Sequence, residues 1–228
     1  MNDLSSNQRI ALISATPAAI DPAANALRAE MPGVGIWNIL DDTLLADAND
    51  QGGVTPHLAA RMQRLISHAR AEGAAAILLT CSMYGAVAQG EVQDIPILAP
   101  DQAAFDELAQ KDFGTVLVVA SLESALVDSL ERLAASLADA GSRSQLVGVF
   151  ANDAMAATKT GDVEALVLAL AKACRPFAAD ADAIFLAQYS LAPAAVGLAG
   201  ELHLPVISGP QSAAARLGTA LRGPSATN

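Results

Sequence analysis

Short runs of Val, Ile, Leu and Ala, apolar at nearly every position, alternate along the chain with longer stretches whose apolar residues recur every three to four positions. The runs at 10–13, 34–40, 75–79, 95–98, 115–119, 146–150, 183–186 and 205–207 read as strands. Unbroken hydrophobicity, rather than strict alternation, is the pattern of strands covered on both faces, so parallel sheets flanked by helices are expected. The helix starts are marked chemically. Asp21-Pro22, Thr55-Pro56, Pro100-Asp101 and Thr160-Gly161-Asp162 each place a capping side chain or a proline where a first turn tolerates one. The pattern predicts an α/β chain with right-handed crossovers between parallel strands.

The second half repeats the first. Ser14 after the first strand is matched by Ser121 after the fifth, and Cys81 after the third by Gln188 after the seventh, both 107 residues on. Trp37 falls opposite Val147 at a spacing of 110, and Pro96 opposite Pro205 at 109. A long period of this kind points to internal duplication. Two pseudo-symmetric lobes are expected, each a four-stranded parallel sheet flanked by helices: residues 1–98 with 210–228 as lobe 1, and 99–209 as lobe 2. Ligands of open α/β sheets bind beyond the carboxyl ends of the strands. Ser14, Cys81, Ser121 and Gln188 all fall at such ends, so an active site in a cleft between the lobes is the expectation.

Charge narrows the partner. The 228 residues carry 13 Lys and Arg against 24 Asp and Glu, a formal net charge of -11, which opposes binding to nucleic acid or to an anionic membrane surface. A small molecule fits better. Mean hydropathy is +0.36, yet the longest uncharged run, 183–200, contains Gln188, Tyr189, Ser190, Pro193 and Gly197 and does not read as a membrane helix. The polar stretch Met1 to Gln8 lacks the apolar core of a signal peptide, so a cytoplasmic protein is expected, and a dimer is the commonest assembly for one. Cys81 and Cys174 show no metal-ligand spacing, and no metal site or disulfide is predicted.

The candidate chemistry centres on Cys81. A thiol in a loop after a buried strand, between Thr80 and Ser82, has hydroxyl and backbone N–H donors at hand to stabilise a thiolate, the reactive form. Cys174 sits within a helical pattern and reads as core or helix surface. His57, His68 and His203 lie away from strand C-terminal ends and read as solvated or structural. Ser14, Thr16, Thr80, Ser82, Met83, Tyr84, Ser121 and Ser190 are the candidate substrate contacts, since hydroxyls and N–H groups beside helix starts suit a carboxylate. The same hydroxyls are also the usual helix caps. Gln188 offers amide donors and an acceptor, and Tyr189 or Tyr84 has a phenol able to supply a proton.

The pairing of Thr80-Cys81-Ser82 in one half with Leu186-Ala187-Gln188-Tyr189-Ser190 in the other resembles the aspartate/glutamate/hydantoin racemase superfamily. Matches at 13–17, 40–45 and 99–105 extend the resemblance along most of the chain. It implies a cofactor-independent isomerase in which a cysteine on each face of the substrate exchanges the proton α to a carboxylate or cyclic amide. On that reading Cys81 is the first catalytic cysteine, and Gln188 stands where the second belongs, which departs from the pattern. An amide has no proton to transfer near neutrality. Racemisation would then need Tyr189, Tyr84 or water as second donor; alternatives are a single-thiol decarboxylase or lyase, as in the arylmalonate decarboxylases, or a cis-trans isomerase of the maleate isomerase kind. A two-lobed ligand-binding protein without catalysis is the alternative from another class. The loops at 40–43 and 151–155 hold no Lys or Arg for a second carboxylate, which favours a substrate with a neutral substituent.

Overall fold

The computed structural model describes residues 8–89 and 94–222. Residues 1–7, on which the reading of the N-terminus mostly rests, and 223–228 lie outside the described residues. The chain divides into two compact units, passing from the first to the second after Ala103 and returning after Ser212.

In the first unit β1 (Arg9–Ser14), β2 (Gly35–Leu40), β3 (Ala76–Leu79) and β4 (Ile97–Leu98) form a parallel sheet in the order β2-β1-β3-β4. The two central strands are buried at all but one position, as their unbroken apolar sequences require; the edge strand β2 is exposed at three of six. Helices α1 (Ile20–Glu30), α2 (Leu44–Asp50) and α3 (Pro56–Ala71) follow β1 and β2. Thr55 caps α3 by accepting from the Leu58 amide, Pro56 opens it, and Leu58, Met62, Ile66 and Ala69 form its buried stripe. Asp21 and Pro22 do not start α1. A 3-10 turn, Pro17–Ala19, runs straight into the helix, so both lie within its first turn.

The second unit repeats this plan with β5 (Thr115–Ala120), β6 (Gln145–Phe150), β7 (Ala183–Leu186) and β8 (Val206–Ser208) in the order β6-β5-β7-β8, all parallel. Helices α4 (Gln102–Lys111), α5 (Glu123–Asp139), α6 (Ala154–Thr160), α7 (Val163–Cys174), α8 (Ala195–Leu202) and α9 (Gly209–Arg222) complete the chain. Asp162 caps α7 through the Ala165 amide, as its place in Thr160-Gly161-Asp162 predicts, and Gly161 takes the left-handed conformation that ends α6, at φ 70°. No helix among the described residues is long and apolar enough to cross a membrane.

The ladders correct one of the sequence matches. In the first unit Ser14 closes β1 opposite Leu40 and its carbonyl accepts from Asp41; in the second, Ala120 closes β5 opposite Phe150 and its carbonyl accepts from Ala151. The counterpart of Ser14 is therefore Ala120, and Ser121 corresponds to Ala15. Cys81 and Gln188 do correspond, each two residues beyond a strand whose last residue pairs with Ile13 or Val119. The spacing drifts because the two copies differ in helix length, 11 residues in α1 against 17 in α5, while hydrogen bonding fixes strand register independently of what lies between.

Candidate active site

Cys81 stands just beyond β3, ahead of the 3-10 helix Ser82–Gln89, whose start its carbonyl ties down by accepting from the Tyr84 amide at 3.1 Å. It is 9% exposed and belongs to the first unit's core cluster with Ala15, Ile77 and Leu79. Thr80 and Ser14 lie one position off that face. Both are buried, and the Thr80 hydroxyl donates to Ser14 Oγ at 2.9 Å. Alanines, Ala120 and Ala187, occupy these two places in the second unit, so the hydroxyl pair fills a core position on the opposite side of the sheet from Cys81. Tyr84 is fully buried and its hydroxyl donates to the Leu44 carbonyl at 2.8 Å. Burial, and next the charge of Cys81, push its phenol above the ordinary value; Arg61 acts the other way.

Gln188 takes the corresponding place after β7, ahead of the 3-10 helix Tyr189–Ala194. Its Oε1 accepts from the Ser121 amide at 2.7 Å and from the Ser121 hydroxyl at 3.1 Å. Gln188 is half-buried, Ser121 3% exposed and Tyr189 6% exposed. The lateral neighbour thus differs between copies together with the strand-end residue: Ala15 beside the thiol, Ser121 beside the amide.

Thr16 precedes the 3-10 turn Pro17–Ala19 without a side-chain cap bond, and Ser82 and Ser190 are half-buried within the 3-10 helices that follow Cys81 and Gln188. Met83 packs against the first core and lines an apolar concavity of about 570 Å³ with Val54, Ala59, Ala60, Gln63, Ala86 and Val87. Cys81 is not part of that lining.

One cluster was not foreseen from the sequence. Arg61, on α3, reaches the loop after β2, donating to Asp41 at 2.6 Å, Thr43 at 2.8 Å and Asp47 at 2.9 Å, and the Thr43 hydroxyl donates to Asp41 at 3.2 Å. The second unit has a simpler equivalent, with Lys172 on α7 paired to Asp153 after β6 at 2.9 Å. Arg61 lies about twenty residues from the loop it braces, and nothing local in the sequence connects them. Two carboxylates already occupy its guanidinium, so the cluster adds no free cation.

Cys174 is fully enclosed in the second unit's core, and burial pushes its thiol up to about 12. The core reading of this residue is the one its surroundings bear out. Below pH 9, the usual range for such a thiol, its stabilisation is present in full; between 9 and 12 the unfolded chain ionises while the folded one does not, and stability is lost as pH rises. Wild type should lose about 1.4 kcal/mol per pH unit more than Cys174→Ala across this window, read by urea unfolding at matched pH values. Equal slopes would refute it.

His57, His68 and His203 are exposed; the His68 ring meets Trp37 edge-on, its centroid 5.4 Å away, and His203 ends α8 in a left-handed conformation. Among the described residues no group of His, Cys, Asp and Glu is arranged to hold a metal ion.

Two α/β units of one topology, each a parallel sheet with a corresponding residue, Cys81 or Gln188, just past its third strand, define a duplicated racemase-type fold. Residues 42–217 match the model of the Asp/Glu/Hydantoin racemase family, and the chain belongs to that family of enzymes. No curated protein matches the chain by sequence. Among solved structures it is similar to the aspartate racemase of Picrophilus torridus, at 14% identity and a TM-score of 0.70, covering 92% of this chain and 93% of that one. It is also similar to the allantoin racemase of Klebsiella pneumoniae, at 20% identity and 0.67, covering 92% and 86%. An unliganded arylmalonate decarboxylase aligns at 22% identity and 0.58, covering 97% and 95%. These likenesses establish the fold.

Proposed function

We propose that the protein is a cofactor-independent, single-thiol enzyme that moves a proton at the carbon α to a carboxylate or cyclic amide, with Cys81 as its acid/base. The observation that carries this is the second strand-end position, where Gln188 replaces an ionisable side chain and is held by Ser121 at 2.7 and 3.1 Å. In the isomerase reading the Cys81 thiolate takes the α-proton, breaking the C–H bond and leaving an enediolate; a proton returned to the other face completes inversion. Tyr84 is a poor source of it, since its hydroxyl is spent on Leu44 and burial raises its pKa. Tyr189 or water is left. A second reading rests on the same observation. In a decarboxylase the C–C bond breaks with loss of CO2, and one thiol delivers the single proton that the carbanion needs.

The substrate carries a neutral or apolar substituent on this reading, because the one arginine at the loop after β2 is already paired with Asp41 and Asp47. The two chemistries separate by pH. A base must start as thiolate, so isomerase turnover rises with pH through the thiol's titration; a proton-donating thiol gives a rate that falls. The test incubates the enzyme in deuterated water with each enantiomer of allantoin and aspartate and with phenylmalonate, following α-deuteration and CO2 release by NMR. Single-thiol chemistry predicts exchange favouring one hand, or release of CO2 with deuteration on one face. Deuterium entering unreacted substrate of both hands equally fast, which needs a competent acid/base group on each face, would sink the proposal.

A further inference from the structure

We infer that Ser121 is the positioning residue that makes Gln188 a fixed hydrogen-bond donor, so that the strand ends of the second unit take an acceptor oxygen, carboxylate or carbonyl, and offer no proton. This rests on the reading above in one respect, that these strand ends bind substrate. A glutamine can present either end of its amide. Here the choice is forced, because a backbone N–H can only donate, and the atom 2.7 Å from the Ser121 amide must be the carbonyl oxygen. The Ser121 hydroxyl adds a second donor to the same oxygen at 3.1 Å. Nε2 is thereby left as the donor end, and no described residue accepts from it. A half-buried amide donor left without a protein acceptor calls for one from water or ligand.

Ser121 is 3% exposed, which suits a residue acting through Gln188 rather than one touching substrate. The first unit supplies the internal comparison. Its corresponding residue is Ala15, which has no side-chain donor, and the side chain next to it is the thiol. A side-chain hydroxyl at the neighbouring position therefore accompanies the amide and has no counterpart at Ala15.

The experiment is a titration of the full-length, 15N-labelled protein with phenylacetate, a carboxylate bearing an apolar substituent, and with 2-phenylethylamine, which has the same ring but no acceptor oxygen. The Gln188 side-chain NH2 signals are assigned by their loss in Gln188→Met. Phenylacetate should shift those signals and the amine should not. Ser121→Ala should weaken phenylacetate binding about fivefold, the worth of one hydrogen bond. Ser121→Thr, which keeps the hydroxyl, should bind within about twofold of wild type on the same scale. Gln188 signals that stay unmoved at the highest soluble phenylacetate, a like response to the amine, or wild-type affinity in Ser121→Ala would each overturn the inference. Failure of phenylacetate to protect Cys81 from alkylation, with the Gln188 shifts intact, would sink the thiol chemistry alone.

Discussion

Cys81→Ser should lower turnover about a thousandfold while the protein remains folded. The substitution replaces sulfur by oxygen at a site 9% exposed, with no change in branching, and leaves the Thr80–Ser14 and Tyr84–Leu44 hydrogen bonds untouched. A stability change within about 1 kcal/mol is expected, so lost activity would not be lost fold. The chemistry changes far more. An alcohol does not ionise near neutrality and is a weak acid toward a carbanion, so either role of the thiol fails. Because Gln188 carries no exchangeable acid/base proton, nothing at the other strand-end position takes over. The measurement pairs α-deuteration or CO2 release with a thermal melt of the same sample. Undiminished turnover in this variant would remove Cys81 from the mechanism.

Iodoacetamide at pH 8 should alkylate Cys81 at least about a hundredfold faster than Cys174. Two factors multiply. Cys174 has no exposed surface, so reagent reaches it only through an opening of the second unit's core. Its thiol is pushed up to about 12, which leaves about one molecule in ten thousand as thiolate at that pH. Cys81 lies beyond a strand rather than within a helix's buried stripe and keeps some surface. Peptide mapping by mass spectrometry after timed quenching gives both rates from one experiment. Comparable rates would mean that Cys81 has no privileged reactivity, and the acid/base assignment would lose its chemical basis.

Most of the architecture was legible because apolar runs and capping residues are local. The strand over 183–186 has the same bounds in the structure, Thr55 and Asp162 are caps, and the parallel arrangement follows from strands buried on both faces. The strand expected at 95–98 shortens to two residues, Ile97–Leu98, at the sheet edge, where fewer ladder bonds hold it. The relation of the two copies was legible only in part. A spacing of 107 identifies Cys81 with Gln188, yet the same spacing misplaces Ser14 by one residue, and one residue in a strand is the difference between the two faces of a sheet.

The site divides along the same line. Residue type and position just past a strand were enough to single out Cys81 and Gln188, since the chain direction places such residues at the carboxyl end of a parallel sheet whatever the packing. Hydrogen-bond partnership depends on side chains brought together from distant segments, and only the tertiary structure decided it. Ser14 and Thr80, candidates for binding, spend a hydrogen bond on each other across 66 residues; Tyr84, a candidate proton donor, is held by Leu44; Arg61 is drawn to the loop after β2. Ser121 and Gln188 are likewise 67 residues apart, and their bond turns a side chain that could donate or accept into one that donates. The sequence by itself determined which groups stand at the strand ends; the fold decided which of them are left free to meet a ligand, because burial and partner geometry are set by contacts that no local pattern encodes.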